Sequence, residues 1–415
     1  MPSAPSRNDR PGFSAGALLG LLRIADADAA ASAPAQSAPQ AWDAILDLAL
    51  RHGVAPLLQR ALRSNGRLAL LPQSVRTRLD EASRAVALDN LRNYGQFRRI
   101  ATALTERGVP LIALKGLHLA ELVYRDISLR PMADLDILVP HAQVDAAVAA
   151  LAALDFELSN KAPGGYDLSL SHRSLGTLVE VHWTLATPEE PYTPPIEHIW
   201  RSAVTVRLGD AQVQVMSPEF LLLHVCTHLA CHHLFAFDLR ALCDIVEIVQ
   251  AHPDLDWDTV VDQGRRHGWE RGVAAALRLA RDHLGAAVPA DALAAIGGDR
   301  LAPELLDDAL EQLGTTLDLP GETRFAPNLM ALAGASGVGA KLRVACGRIF
   351  LPRAELARIY GVPEQSLHMP LLYVRRLRDL LRAYAPNLWA AGVSDPQFAA
   401  SAARNARLAK WIAGG

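Results

Sequence analysis

The hydrophobic period of this chain changes twice, and those changes limit the fold more than any other feature. Trp42, Ile45, Leu46, Ala49 and Leu50 fall at helical spacing, and a longer helical stretch covers residues 75–107. Gly108 and Pro110 end it, because neither supports a helix interior. Residues 109–114 are then a short apolar run of strand formers, and residues 134–139 alternate until Pro140. Residues 166–171, 177–184, 204–208 and 212–216 also read as strands between Gly and Pro clusters, with a helix over 141–154. After Pro218 the helical period returns. Residues 218–251 predict two helices divided near 235–238, and further helices cover 256–284, 289–297, 302–313 and 371–384. The expected fold is α+β. A small mixed β-sheet core over 108–216 lies between an N-terminal helical region, 41–107, and a C-terminal one, 217–415. A flexible N-terminal segment, 1–40, comes first. Within it a short amphipathic helix precedes an Ala/Ser/Pro linker at 30–40.

A formal charge of −3 gives no general attraction to nucleic acid or acidic membranes. Cys226, Cys231, Cys243 and Cys346 form no CxxC pair, so reduced thiols and a cytoplasmic location are expected. No apolar run reaches the length of a membrane span. The stretch 13–22 follows Arg7 and Arg10 but is short and ends at Arg23, which disfavours a secretory signal. Only four of the 41 basic residues are lysines: Lys115, Lys161, Lys341 and Lys410. Arginine is this chain's default cation, so each lysine merits a separate reading.

The chemistry concentrates in residues 114–139. On a strand, residues two apart share a face. Asp134 and Asp136 therefore project together, with Leu135, Ile137 and Val139 opposite. Paired anions need compensation, and a divalent cation such as Mg²⁺ or Mn²⁺ is the natural one. Glu180 shares a face with Leu178, His182 and Thr184 on the strand expected at 177–184, and offers a third carboxylate. Three acids can hold two ions, one for the attacking oxygen and one for the leaving phosphate. Lys115-Gly116 follows a strand and opens a helix, a setting that suits a phosphate. Arg125 and Arg130, on the connecting loop, are candidate triphosphate clamps. His182 is a candidate to orient a carboxylate or assist proton removal.

Other features read more plainly. His224, His228 and His232 form one helical stripe beside His233, expected to pack as a wall against the α/β unit. The HExxH zinc signature is absent from it. Arg375, Arg376, Arg378 and Arg382 form a basic helical face, usually a solvated one. No GxSxG, Walker A or GxGxxG motif occurs, which disfavours hydrolase, P-loop and dinucleotide-binding chemistry.

Lys115-Gly116, Tyr124 and the run Arg130-x-x-x-Asp134-x-Asp136-x-Leu138-Val139-Pro140 together resemble the uncharacterised nucleotidyltransferase family of the DNA polymerase β-like superfamily. Trp42, His52-Gly-Val and Leu57-Leu58 upstream, and the His-rich segment downstream, extend the likeness over most of 40–250. The resemblance implies a minimal nucleotidyltransferase core with Asp134, Asp136 and Glu180 as metal ligands. It also implies transfer of a nucleoside monophosphate from an NTP such as ATP to an acceptor hydroxyl or phosphate. The wider superfamily carries Gly-Ser at the turn, whereas Leu117 follows Gly116 here, so Lys115 is expected to take over the serine's phosphate contact. The acceptor is expected to be a small molecule, peptide or saccharide. Two rivals stay open: a toxin-like nucleotidyltransferase acting on tRNA or protein, and a non-catalytic nucleotide-binding protein.

Overall fold

Gly108 adopts a left-handed φ of +66°, and there the chain leaves the helical regime. The computed structural model describes residues 15–23, 39–159, 166–186, 194–236, 239–314, 339, 346, 349–351, 353–360, 362–363, 365–390 and 396–414. Its centre is one mixed sheet of seven strands: β1 (Ile112–Ala113), β2 (Leu135–Leu138), β3 (Phe156–Leu158), β4 (Asp167–His172), β5 (Leu178–His182), β6 (Val204–Leu208) and β7 (Ala211–Val215). They lie in the order β3-β4-β5-β2-β1-β7-β6. β2 runs antiparallel to β1 and parallel to β5. The β2–β5 register sets Asp136 opposite Glu180 and Leu138 opposite His182.

Helices cover both faces of this sheet. Before it come α1 (Ala15–Leu22), α2 (Pro39–Arg51), α3 (Ala55–Ser64) and the long α4 (Gln73–Glu106). Within it come α5 (Lys115–His118), which passes into a π turn over Leu119–Val123, then α6 (Val144–Ala152) and α7 (Ile196–Ser202). After it come α8 (Pro218–Thr227), extended by a second π turn over His228–His232, and then α9 (Leu239–Ala251), α10 (Trp257–Arg266), α11 (Glu270–Leu284), α12 (Ala290–Ala295) and α13 (Pro303–Gly314). Ser217 caps α8 by accepting from the Phe220 amide, with Pro218 in the first turn.

One sheet face buries Leu135, Ile137, Val179 and Val181 against Phe97, Ile100 and Leu104 of α4 and Ala147 and Leu151 of α6. Ile112 and Leu138 join a larger core shared with α1, α3, α8, α9 and α11. Asp136, Glu180 and His182 occupy this second face by strand alternation. The acids are therefore trapped between the sheet and the C-terminal helices.

The structure departs from expectation at several points. β1 has two residues, because α5 opens at Lys115, directly after Leu114, whose extended backbone still bonds the Asp136 carbonyl of β2 (3.0 Å). β2 starts at Leu135, so Asp134 lies in the bend before the strand instead of on it. β3 was not anticipated: its three residues include exposed Glu157 and Leu158, too few for a period. Residues 256–284 hold two helices, α10 and α11, parted at Gly268 with φ +72°. In the expected flexible segment 1–40, α1 is a docked helix whose Leu18, Leu19, Leu21 and Leu22 are buried. Most of the linker at 30–40, Lys161, Asp238 and Lys341 lie outside the described residues. None of the described helices is long and apolar enough to cross a membrane.

Candidate active site

Asp136 is the hub of the site. It is only 5% exposed, and its carboxylate meets Lys115 Nζ at 3.4 Å and His182 Nε2 at 3.2 Å. Glu180, half-buried, lies 3.6 Å from the same His182 nitrogen. A carboxylate only accepts, so His182 Nε2 donates to Asp136, with Glu180 at ion-pair distance. Burial works against charge on His182, but the two neighbouring acids, Asp136 and Glu180, outweigh it and raise its pKa to about 9. For Asp136 burial pushes upward, yet Lys115 and His182 hold the carboxyl well below the ordinary range. Asp134 is drawn up to about 6 by burial, reinforced by the charges of Asp136 and Glu180 and opposed by Lys115 and Arg240. Asp136 is the permanent anion of the pair, and Asp134 the adjustable one.

Asp136, Glu180 and His182 can hold a metal ion, since each offers a donor atom within 4.8 Å of the other two. Asp134 stands outside this set. Two carboxylates and an imidazole suit an ion that takes oxygen and tolerates nitrogen, as Mn²⁺ does and Mg²⁺ does less readily.

The histidine stripe packs against the α/β unit, and it does so beside these acids. Lys115 Nζ lies 3.0 Å from His228 Nε2, and His233 Nε2 lies 3.3 Å from the same atom. His232 bonds the Leu185 carbonyl (3.1 Å), and the Tyr166 ring lies beside both His232 and His182. Burial, with Lys115 next in size, holds His224 and His228 well below 6.5. Burial against Lys115 also acts downward, but Asp136, Asp134 and Glu180 together raise its pKa above the ordinary value.

The remaining predicted residues separate. A Cβ on Gly116 would meet Met132 at 3.1 Å, so glycine here lets the Met132 side chain close over the turn. Leu117 belongs to the α4-side core, and its carbonyl accepts from Tyr94 OH (2.9 Å). Leu117 thus serves packing. Arg130 is buried, and its guanidinium grips both oxygens of buried Asp244 at 2.9 Å. Tyr124 OH donates to the same carboxylate (2.8 Å). Asn90 of α4 secures the loop from the other side through the carbonyls of Ile127 and Arg130 (2.6 and 2.8 Å). Arg125 is exposed at φ +55°, and its charge bears on His252. Arg130 thus faces Asp244, with one guanidinium nitrogen 3.4 Å from where a Gly116 Cβ would stand, so it borders the Lys115-Gly116 turn. On the basic helix, Arg376 is buried, Arg375 stacks over Tyr360 and Arg378 pairs with Asp379 at 3.2 Å. That leaves less free charge than the sequence suggests.

His118, three residues after Lys115, was not singled out by sequence. It is 4% exposed, and its Nδ1 has no hydrogen-bond partner among the described residues. Burial, aided by His252, lowers its pKa to about 4. The unfolded chain takes up this proton first, near pH 6.5. Stability therefore falls as pH drops from about 6.5 toward 4, by on the order of 3 kcal/mol for this group. His118→Met will flatten that stretch of the Tm–pH curve; a curve that overlays the parent's would contradict this.

The sequence profile of the uncharacterised nucleotidyltransferases matches residues 38–285. The chain belongs to that family. The enzyme is thus a transferase of nucleotidyl groups, and the matched span covers the whole sheet and α8 to α11. No curated relative matches it. Among solved structures it is similar to the antibiotic-resistance factor ANT(2'')-Ia, with 15% identity and a TM-score of 0.32 over 47% of this chain and 99% of that one. It is also similar to an antigenic nucleotidyltransferase-like protein from Paracoccidioides brasiliensis, with 18% identity and a TM-score of 0.31 over 52% of this chain and 93% of that one.

Proposed function

We propose that the enzyme moves a nucleoside monophosphate from an NTP, ATP among them, to an acceptor hydroxyl or phosphate in the cytoplasm. The acceptor oxygen bonds to the α-phosphorus, and pyrophosphate leaves as the bond to the bridging oxygen breaks. The observation that carries this reading is the register of Asp136 against Glu180 on adjacent central strands, with the Lys115 ammonium against Asp136. Asp136 and Glu180, with Asp134 at the mouth of the strand, would hold Mg²⁺ or Mn²⁺. When bound, the ion supplies charge neutralisation for the phosphates. Lys115 adds a fixed positive charge for the leaving pyrophosphate. His182 holds the Asp136 carboxylate in place. Glu180, the more exposed acid, takes the proton of a hydroxyl acceptor. Positioning and neutralised charge then do most of the catalytic work. A small molecule, peptide or saccharide fits as acceptor better than tRNA, because Asp379 offsets part of the charge of Arg375 and Arg378 and the net charge is −3.

The test is incubation with each labelled NTP, Mg²⁺ or Mn²⁺ and a cell extract. A labelled acceptor and equimolar pyrophosphate are expected, with both lost on chelation. Glu180→Gln should lower the rate by roughly 10²- to 10³-fold. Tight NTP binding with no transfer to any fraction would instead favour the non-catalytic reading, and chelator-resistant transfer would remove the metal from it.

A further inference from the structure

Lys115 ends between Asp136 Oδ2 at 3.4 Å and His228 Nε2 at 3.0 Å. An ammonium has three donors and no acceptor. His228 Nε2 must therefore present its lone pair, which leaves the imidazole proton on Nδ1. His233 Nε2 stands 3.3 Å from the same atom, so the hydrogen in that contact belongs to His233. His228 is thus a neutral acceptor whose single lone pair is shared by Lys115, the nearer donor, and His233. Its local backbone serves that arrangement. His228 opens the π turn that extends α8, and the His233 amide bonds the His228 carbonyl at 3.1 Å. This places the two rings 4.3 Å apart. Such π turns are rare and concentrate at functional sites. Asp136 alone could neutralise the lysine, but a single carboxylate does not fix an amine's direction. A neutral acceptor on the far side does so without adding charge.

We propose that His228 is the positioning residue for Lys115, aiming its ammonium so that it balances Asp136 before nucleotide arrives and meets the triphosphate afterwards. The second half of this inference rests on the transfer reading above; the first half does not.

The scarcity of lysine makes the test direct. Protein labelled with ¹⁵N-lysine has only four side-chain ammonium groups, those of Lys115, Lys161, Lys341 and Lys410. Lys115→Met identifies the Lys115 signal. That signal should be protected from solvent exchange in the parent and in His228→Gln, whose amide oxygen can still accept. It should broaden or vanish in His228→Phe and in His228→Leu, two apolar variants of different size whose folding is checked by Tm. If the protected signal survives in the folded apolar variants, His228 does not position the lysine. Calorimetry with ATP and Mg²⁺ tests the second half. His228→Leu should bind about tenfold more weakly, the loss expected for one charge-assisted hydrogen bond. Adding Lys115→Met should cost almost nothing further, whereas fully additive losses would overturn the link. If the parent binds no NTP, the transfer reading fails and with it the second half, while the spectra still decide the first.

Discussion

Asp136→Asn will cut nucleotidyl transfer by about a thousandfold or more and leave the fold standing. The substitution keeps the shape and removes the charge. Asp136 is the buried acid on which the other groups converge, meeting Lys115 at 3.4 Å and His182 at 3.2 Å. It is also one of the three residues able to share an ion. Losing one pre-arranged charge contact in a dry site already costs roughly 10²- to 10³-fold, and here the ion's hold weakens as well. The side effects have a definite sign. Lys115 and His182 both owe their raised pKa to this carboxylate, so both will titrate at lower pH in the variant. Asp134→Asn should cost far less, roughly tenfold, because Asp134 stands in the bend before β2, at the margin of the proposed ion site. The measurements are transfer rate with labelled NTP, Mn²⁺ affinity and Tm. A folded Asp136→Asn protein with more than a tenth of parental activity would remove Asp136 from the chemistry.

The contrast between the two aspartates marks where the sequence stops being informative. Alternation places Asp136 on one face with certainty, since Leu135 and Ile137 must be buried opposite. It cannot say whether Asp134, one residue earlier, still belongs to the strand. That depends on where the pairing of β2 with β5 begins, at Leu135 opposite Val179, a tertiary matter. The pairing of Asp136 with Glu180 is likewise invisible in one dimension, because strand order and register come from the whole sheet. Glu180 and His182 were legible as neighbours on a strand, but not as central residues. The histidine stripe shows the limit most clearly. Helical spacing gives His224 and His228 a common face, yet only the packing of α8 on the sheet turns that face toward Lys115. The π turn that brings His233 onto His228 has no local signature in the residues. For Arg130, charge and loop position suggest a phosphate clamp. Its partner is 114 residues away on α9, where no local pattern points to it.

That partner defines the second large effect. Arg130→Met and Asp244→Leu will each destabilise the fold by about 3–5 kcal/mol, because each leaves an unpaired charge buried. Asp244 is 1% exposed and Arg130 6%, so water cannot easily compensate. The Tm should fall by roughly 10 °C. Combining the two replaces a buried ion pair with apolar contacts, and the loss should then be well below the sum of the single changes. Tyr124 OH loses an acceptor in the double variant, so recovery will be incomplete. This double variant also decides what Arg130 does. If its task is to tie the loop at 125–131 to α9, the double variant regains affinity for ATP with Mg²⁺ in step with its partly recovered Tm. If the guanidinium grips the triphosphate, stability returns and affinity does not. The bidentate contact at 2.9 Å to both Asp244 oxygens favours the first outcome. A guanidinium already matched to a carboxylate fork has its best geometry spent, and releasing it for a phosphate would strand Asp244 in the core.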